Sequence, residues 1–315
     1  MTTPNPEVRP LLPVLAVALT LVLWASAFVA IRHLGGQLSP GSLSLGRLLI
    51  GALVLGAVML LRREGLPPRS AWPSLVVIGL LWFGLYNMAL NAGEQRVDAG
   101  TAAMLIQLSP VLVAVLAAVV LKERTSRWLV IGLVVALAGV GVIGLNAGDG
   151  ARDPVGVGLV LVAAVAYSVA LVVQKPLMTR ATPLQVVWGA CTVGAVSCLP
   201  FAGSLVADLQ QTSTADALWV GYLGVFPTAI AFTTYAYALR HMRAGSLSIT
   251  TYLVPPLTVL LSWLLLSETP TAAAVGGGLL CLVGVSLSRR QPPAIAPTTS
   301  SGSVPASTAS GSGSS

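Results

Sequence analysis

A stretch of 33 residues occurs twice in this chain, and the two copies keep a constant offset of 145. The first copy runs from Leu108 to Val140 and the second from Leu253 to Val285, with 11 identities, among them Pro110 and Pro255, Glu123 and Glu268, and Gly139 and Gly284. Leucine and valine matches carry little weight in so apolar a chain. The protein has only five glutamates, however, and two of them face each other across the offset. A duplication of this kind constrains the fold more than any local pattern, because both copies must make the same substructure.

Each copy reads as a membrane hairpin. An apolar run opens on a proline, a tight polar turn carries the glutamate, and a second apolar run follows with glycines seven residues apart, Gly132 and Gly139 in one copy, Gly277 and Gly284 in the other. That spacing puts each glycine pair on one helix face, where small residues let two helix backbones approach closely. Pro110 and Pro255 free a carbonyl that a neighbouring helix or a cavity must satisfy in lipid. Glu123 and Glu268 end their apolar runs, so both read as turn carboxylates at the headgroup level.

The composition places the whole chain in a bilayer. Hydrophobic residues make up 55% and charged residues 9% of 315 positions, against roughly 25% charged in ordinary globular proteins. Ten apolar runs approach the ~20 residues that span a membrane: Leu11 to Ile31, Pro40 to Leu61, Trp72 to Asn91, Ala99 to Leu121, Arg127 to Leu145, Val155 to Gln174, Pro183 to Leu205, Ala215 to Leu239, Gly245 to Ser267 and Thr271 to Ser288. The expected class is an all-α polytopic membrane protein with ten transmembrane helices as two inverted five-helix repeats. Residues 1–10 form an N-terminal segment, 11–146 and 147–290 the two repeats, and 291–315 a tail of Pro, Ser, Thr, Gly and Ala without charge, expected to be disordered.

The net charge of +7 follows topology rather than nucleic acid. With the N-terminus in the cytoplasm, thirteen Lys and Arg fall on the inside against Arg32, Arg96 and Arg152 outside, so both termini are expected to be cytoplasmic and the membrane an inner, plasma membrane. Five spans per half then insert the second half upside down. Arg9, an apolar run and Ala25-Ser26-Ala27 also fit a signal peptide, but cleavage there would leave nine spans of a paired set.

The outer spans of the halves correspond at an offset of 143, Trp24 to Phe28 with Tyr167 to Leu171, Arg32 with Lys175, and Pro40 with Pro183. With the Trp24-to-Phe28 opening, Arg32, Pro40 leading to Arg47, and the repeated Pro-Glu-Gly hairpin, the chain resembles the EamA family of the drug/metabolite transporter superfamily. Two positions of the second half depart from that pattern, Tyr167 for the opening tryptophan and Ala190 in the place of Arg47. The resemblance implies a central cavity lined by the first, third, fourth, sixth, eighth and ninth spans. It also implies movement of a small solute, often metabolite or amino-acid export. Inverted repeats independently point to alternating access around a midplane site.

Polar groups inside the spans are the candidates for that path. Asn87, beside Tyr86, and Gln107 must be paired or face a cavity, since a bare buried amide in lipid is costly; cavity lining and helix-to-helix hydrogen bonding stand as equal readings. Asn91, nearer the span end, reads as structural. Trp24, Ser26, Tyr167, Tyr235 and Tyr252 lie in spans that the resemblance places around the cavity, and aromatic rings with a polar handle suit amphipathic solutes. Arg47 is the one charge well inside a span, and it reads as structural or gating rather than as a direct substrate contact.

Other chemistries find no carrier. Neither lysine follows a glycine, which excludes the phosphate-binding GK[ST] loop. His33 and His241 are expected on opposite sides of the membrane, and Cys191, Cys198 and Cys281 sit in apolar runs without metal-ligand spacing. No cofactor, metal, catalytic residue or nucleic-acid partner is expected. The partners are a small-molecule substrate and the lipid bilayer, and the sequence leaves the oligomeric state open. The readings held beside an exporter are an importer of sugars or drug-like cations, a membrane scaffold and a membrane-embedded enzyme.

Overall fold

A computed structural model describes residues 11–34, 37–94, 96, 105–123, 125–145, 153–266 and 272–288. Glu268, both termini and the 291–315 tail lie outside them. The described residues are helical in each of the ten expected stretches, and none of them forms a strand. We number these helices α1 (Leu11–Leu34), α2 (Pro40–Leu61), α3 (Arg69–Gly93), α4 (Ser109–Val120), α5 (Arg127–Leu145), α6 (Pro154–Leu177), α7 (Pro183–Ser197, bent by 53° into Leu199–Gln211), α8 (Thr214–His241), α9 (Ala244–Ser248, Ile249–Leu253 and Val254–Leu266 in succession) and α10 (Ala272–Ser288). Four of them, α2, α3, α6 and α8, are long and apolar enough to cross a membrane, and bent α7 makes a fifth; α1, α4, α5 and α10 contain shorter apolar helices.

Local chemistry sets the helix starts. Ser39, Asp153, Thr182 and Ser213 cap α2, α6, α7 and α8 by accepting a backbone N–H, and prolines follow the cap at Pro40, Pro154 and Pro183, where a missing N–H costs nothing. Thr182 and Gln185 complete a reciprocal capping box. The seventh and ninth spans are not straight. The chain turns after Cys198 through Leu199–Phe201, with Pro200 at the break. In α9, Pro255 and Pro256 begin the last piece after a tight 3₁₀ turn over Ile249–Leu253, because proline neither donates a helix hydrogen bond nor fits behind a full turn.

The inversion is visible in how corresponding helices meet. A Cβ built on Gly139 would lie 2.6 Å from the Gly277 carbonyl oxygen, and one on Gly132 would lie 2.5 Å from that of Gly284. Seven residues forward on α5 is therefore seven back on α10, so the two run antiparallel with their backbones in contact. Helices α2 and α7 also run antiparallel, with Gly41 against the Phe201 side chain, Gly51 against that of Cys191 and Gly56 against that of Trp188. Antiparallel packing of equivalent helices is what a two-fold axis lying across the bundle requires.

Two wide π-turns repeat the symmetry. They cover Gly79–Tyr86 in α3 and Gly224–Ile230 in α8, and their first residues are again 145 apart. Gly79 packs on Val193 and the Ala190 carbonyl; Gly224 packs on Ile50 and the Arg47 carbonyl. Each π-turn thus presses on the partner repeat's second helix. Nothing in the apolar pattern announced these turns, although such bulges often mark functional sites.

Candidate functional site

A cavity of about 130 Å³ opens among α1, α2, α3, α6, α8, the start of α4 with the residues before it, and the middle of α9 at Thr251 and Val254. It occupies the half of the bundle that holds the C-terminal ends of α1 and α3 and the N-terminal half of α2. Compared with the spans implied by the resemblance, α2 is the addition, and it enters through Arg47.

Arg47 is half-buried at the cavity wall, and its Nε–H donates to the Thr228 hydroxyl at 3.1 Å. Asn87 is 8% exposed, and its amide nitrogen donates to the Trp82 and Phe83 carbonyls, 3.2 and 2.8 Å away. These are carbonyls of the π-turn in its own helix α3, so the bonds run within one helix and not from helix to helix: the side chain repairs a helix irregularity and also lines the cavity. The nitrogen is used up, and the Oδ1 acceptor is the end left for a solute. Asn91 follows the same logic, donating to the Ser44 hydroxyl at 3.1 Å while lining the cavity. Gln107 is 7% exposed and reaches the same wall.

The apolar side is a nest of rings. Trp82 lies edge-on to Tyr167, Phe232 and Trp24 at centroid distances of 4.9, 5.0 and 6.5 Å, the offset geometry that aromatic quadrupoles favour. Trp24, Tyr86, Asn87, Gln107 and Tyr167 therefore share one cavity. Trp82 and Phe232 join them without having been singled out in the sequence; a tryptophan well inside the third span was the available signal.

Three candidates stand elsewhere. Ser26 is turned toward α8, where its hydroxyl pairs with that of Tyr222 at 2.6 Å. Tyr235 is fully buried behind the wall, its hydroxyl 2.9 Å from that of Tyr167 and its ring 4.8 Å from Trp24. Tyr252 packs with Ala136, Ile249 and Cys281 in a separate core between α5, α9 and α10. Spacing places a residue on a helix but not on a face of a bent one, and Tyr252 lies in the 3₁₀ segment of α9.

The opposite end of the bundle is tied shut across the repeats. The Glu123 carboxylate, in the turn after α4, accepts from the backbone N–H groups of Ala244 and Gly245 at 3.0 and 3.4 Å, so it caps α9 from outside. Nearby, the Thr182 hydroxyl donates to Glu64 at 2.7 Å and the Gln185 amide to the Gly65 carbonyl at 2.8 Å. Glu123 is thus more than a headgroup-level carboxylate: it joins repeat to repeat. Losing such a cap costs ~1 kcal/mol, about fivefold in an open-to-closed ratio. Glu123→Ala should therefore raise maleimide labelling of a buried Leu247→Cys probe about fivefold, and an unchanged rate would show that the cap does not hold this end. The native cysteines are buried and contribute little background.

Both halves of the chain, residues 11–145 and 154–290, match the EamA-like transporter family. The chain belongs to that family. EamA-like relatives cover nearly its full length. It is 36% identical over 278 residues to the "Probable terminal-alkyne amino-acid exporter" of Streptantibioticus cattleyicolor, covering 88% of this chain and 93% of that one. It is 31% identical over 270 residues to the uncharacterized transporter YdfC of Bacillus subtilis, with 85% and 88% covered. A crystal structure with 22% sequence identity shares the fold, with a TM-score of 0.74 over 89% of this chain and 98% of the other. This EamA-like chain is accordingly a multi-pass membrane transporter.

Proposed function

We propose that the protein exports a small metabolite with a carboxylate and an apolar body, an amino acid or a close relative, across a bacterial inner membrane. The observation that carries the reading is Arg47 at the wall of a cavity whose other polar lining residues among those described are uncharged amides and hydroxyls and whose other side is aromatic. A guanidinium is the natural partner of a carboxylate and holds it in a fixed plane. The oxygens of Asn87 and Asn91 would take an ammonium group, and Trp24, Trp82 and Phe232 an uncharged side chain. The amino-acid exporter among the relatives supports the same substrate class.

Transport would proceed by rocking the two inverted repeats, with the Glu123 end and the cavity end opening in turn. Both termini would be cytoplasmic, as the distribution of basic residues requires. A cation importer is the weaker reading, because no acidic side chain lines the cavity among the described residues.

Counterflow in proteoliposomes tests this. L-leucine and L-phenylalanine should exchange, and the matching amines without the carboxylate, isoamylamine and phenethylamine, should not. Flux of the amines, or of glucose, with none of the amino acids would overturn the reading.

A further inference from the structure

The π-turn in α8 has a local cause and a distant effect. In an α-helix the Leu223 carbonyl would accept from the N–H of residue 227, but that residue is Pro227 and has none. The helix widens so that this carbonyl is left to Thr228, whose N–H is its π-turn partner and whose hydroxyl also donates to it at 2.8 Å. With its single proton committed there, the hydroxyl can only accept from a second partner, and that partner is the Nε–H of Arg47 at 3.1 Å. The donor order along Arg47, Thr228 and Leu223 is therefore fixed.

The side chain of Thr228 has no freedom to break this order. It is fully buried, and a Cβ on Gly51, one turn beyond Arg47 on α2, would lie 2.9 Å from its methyl group. Close packing of α2 on α8 thus pins the hydroxyl under the guanidinium. Among the described residues no hydrogen bond or ion pair takes the two terminal nitrogens of Arg47, which lines the cavity. The other repeat lacks the device. Ala190 stands for Arg47 and Phe83 for Thr228, with Gly194 packed on Phe83 as Gly51 is on Thr228.

We propose that Thr228 is a positioning residue for the substrate carboxylate: by holding Nε of Arg47 it fixes the guanidinium plane and presents both terminal nitrogens to the cavity. The inference rests on the carboxylate reading above. It extends that reading by making the proline-induced π-turn of α8 a determinant of selectivity in one repeat only.

The test is counterflow of L-phenylalanine with purified, reconstituted full-length protein. Thr228→Val should raise KM about fivefold with Vmax within about twofold, and Thr228→Ser, which keeps the hydroxyl, should restore KM. A purely structural role would instead lower folded yield or Vmax and would not distinguish serine from valine. Since valine removes the hydroxyl donor from the Leu223 carbonyl and could lower yield, a second comparison uses Arg47→Lys. Lysine has no Nε–H fork, so adding Thr228→Val to it should change KM less than about twofold, the non-additivity of residues acting as a unit. Sensitivity to Arg47→Gln with Thr228→Val equal to wild type, or additive losses in the lysine background, would overturn the proposal alone. Absence of wild-type counterflow, or counterflow indifferent to Arg47→Gln, would overturn the carboxylate reading and the proposal with it.

Discussion

Replacing Gly139 with leucine is expected to abolish folded protein, the largest single effect that the bundle geometry predicts. Its Cβ would lie 2.6 Å from the Gly277 carbonyl oxygen and 2.8 Å from the Cys281 nitrogen. Those atoms are backbone, so no rotamer change relieves the clash. Even alanine would push α5 and α10 apart, and leucine adds three more carbons in the same place, a cost on the order of 3 kcal/mol or more. In a membrane the loss is not offset by burying the side chain, because lipid is as apolar as leucine and the helices associate through close packing. Gly284→Leu should behave alike, since its Cβ would meet the Ala136 nitrogen at 2.5 Å. Gly141→Leu is the control, two residues along α5 with nothing within 4 Å of a built Cβ. The measurement is the monodisperse fraction and melting temperature after detergent extraction. Equal yields for the variants at 139 and 141 would remove the packing argument.

Arg47→Gln is expected to raise KM for L-phenylalanine counterflow about thirtyfold, from losing charge-assisted hydrogen bonds worth ~2 kcal/mol. Folded yield should change little, because Gln can still donate to the Thr228 hydroxyl and the cavity is polar enough to accept an amide. The split between KM and Vmax separates the two roles open to this residue. A gating or structural arginine would lower Vmax and leave KM in place. An arginine that binds the carboxylate raises KM first, since it contributes to bound substrate whichever way the repeats are tilted. Phenethylamine, which has no carboxylate, should be unaffected by the substitution, and a change in its background flux would indicate a leak instead of lost recognition.

The legible part of the site was its inventory. Asn87, Gln107, Trp24, Tyr86 and Tyr167 stand out in an apolar chain because each carries a cost in lipid that something must repay, and the structure brings all five to one cavity. Ser26, Tyr235 and Tyr252 looked the same on paper and are not in the lining. Ser26 and Tyr235 are satisfied by other hydroxyls, Tyr222 and Tyr167, and a hydroxyl pair across two distant helices leaves no trace in spacing. Arg47 was visible as an intramembrane charge, but its partner Thr228 lies 181 positions away and looks like any other threonine in an apolar run.

From the sequence alone came the duplication, the count and order of apolar runs, and the glycine faces of the two hairpins, because lipid forces every span to satisfy its own backbone and so makes span length and small-residue spacing readable in one dimension. Only the tertiary structure decided where the helices bend and widen, which side of each wall a polar group faces, and that Glu123 reaches across to cap α9. The prolines at the bends and in the α8 π-turn are local, but how each bent wall is faced and which partners Glu123 and Arg47 take, 121 and 181 positions away, is a property of two surfaces once they have met.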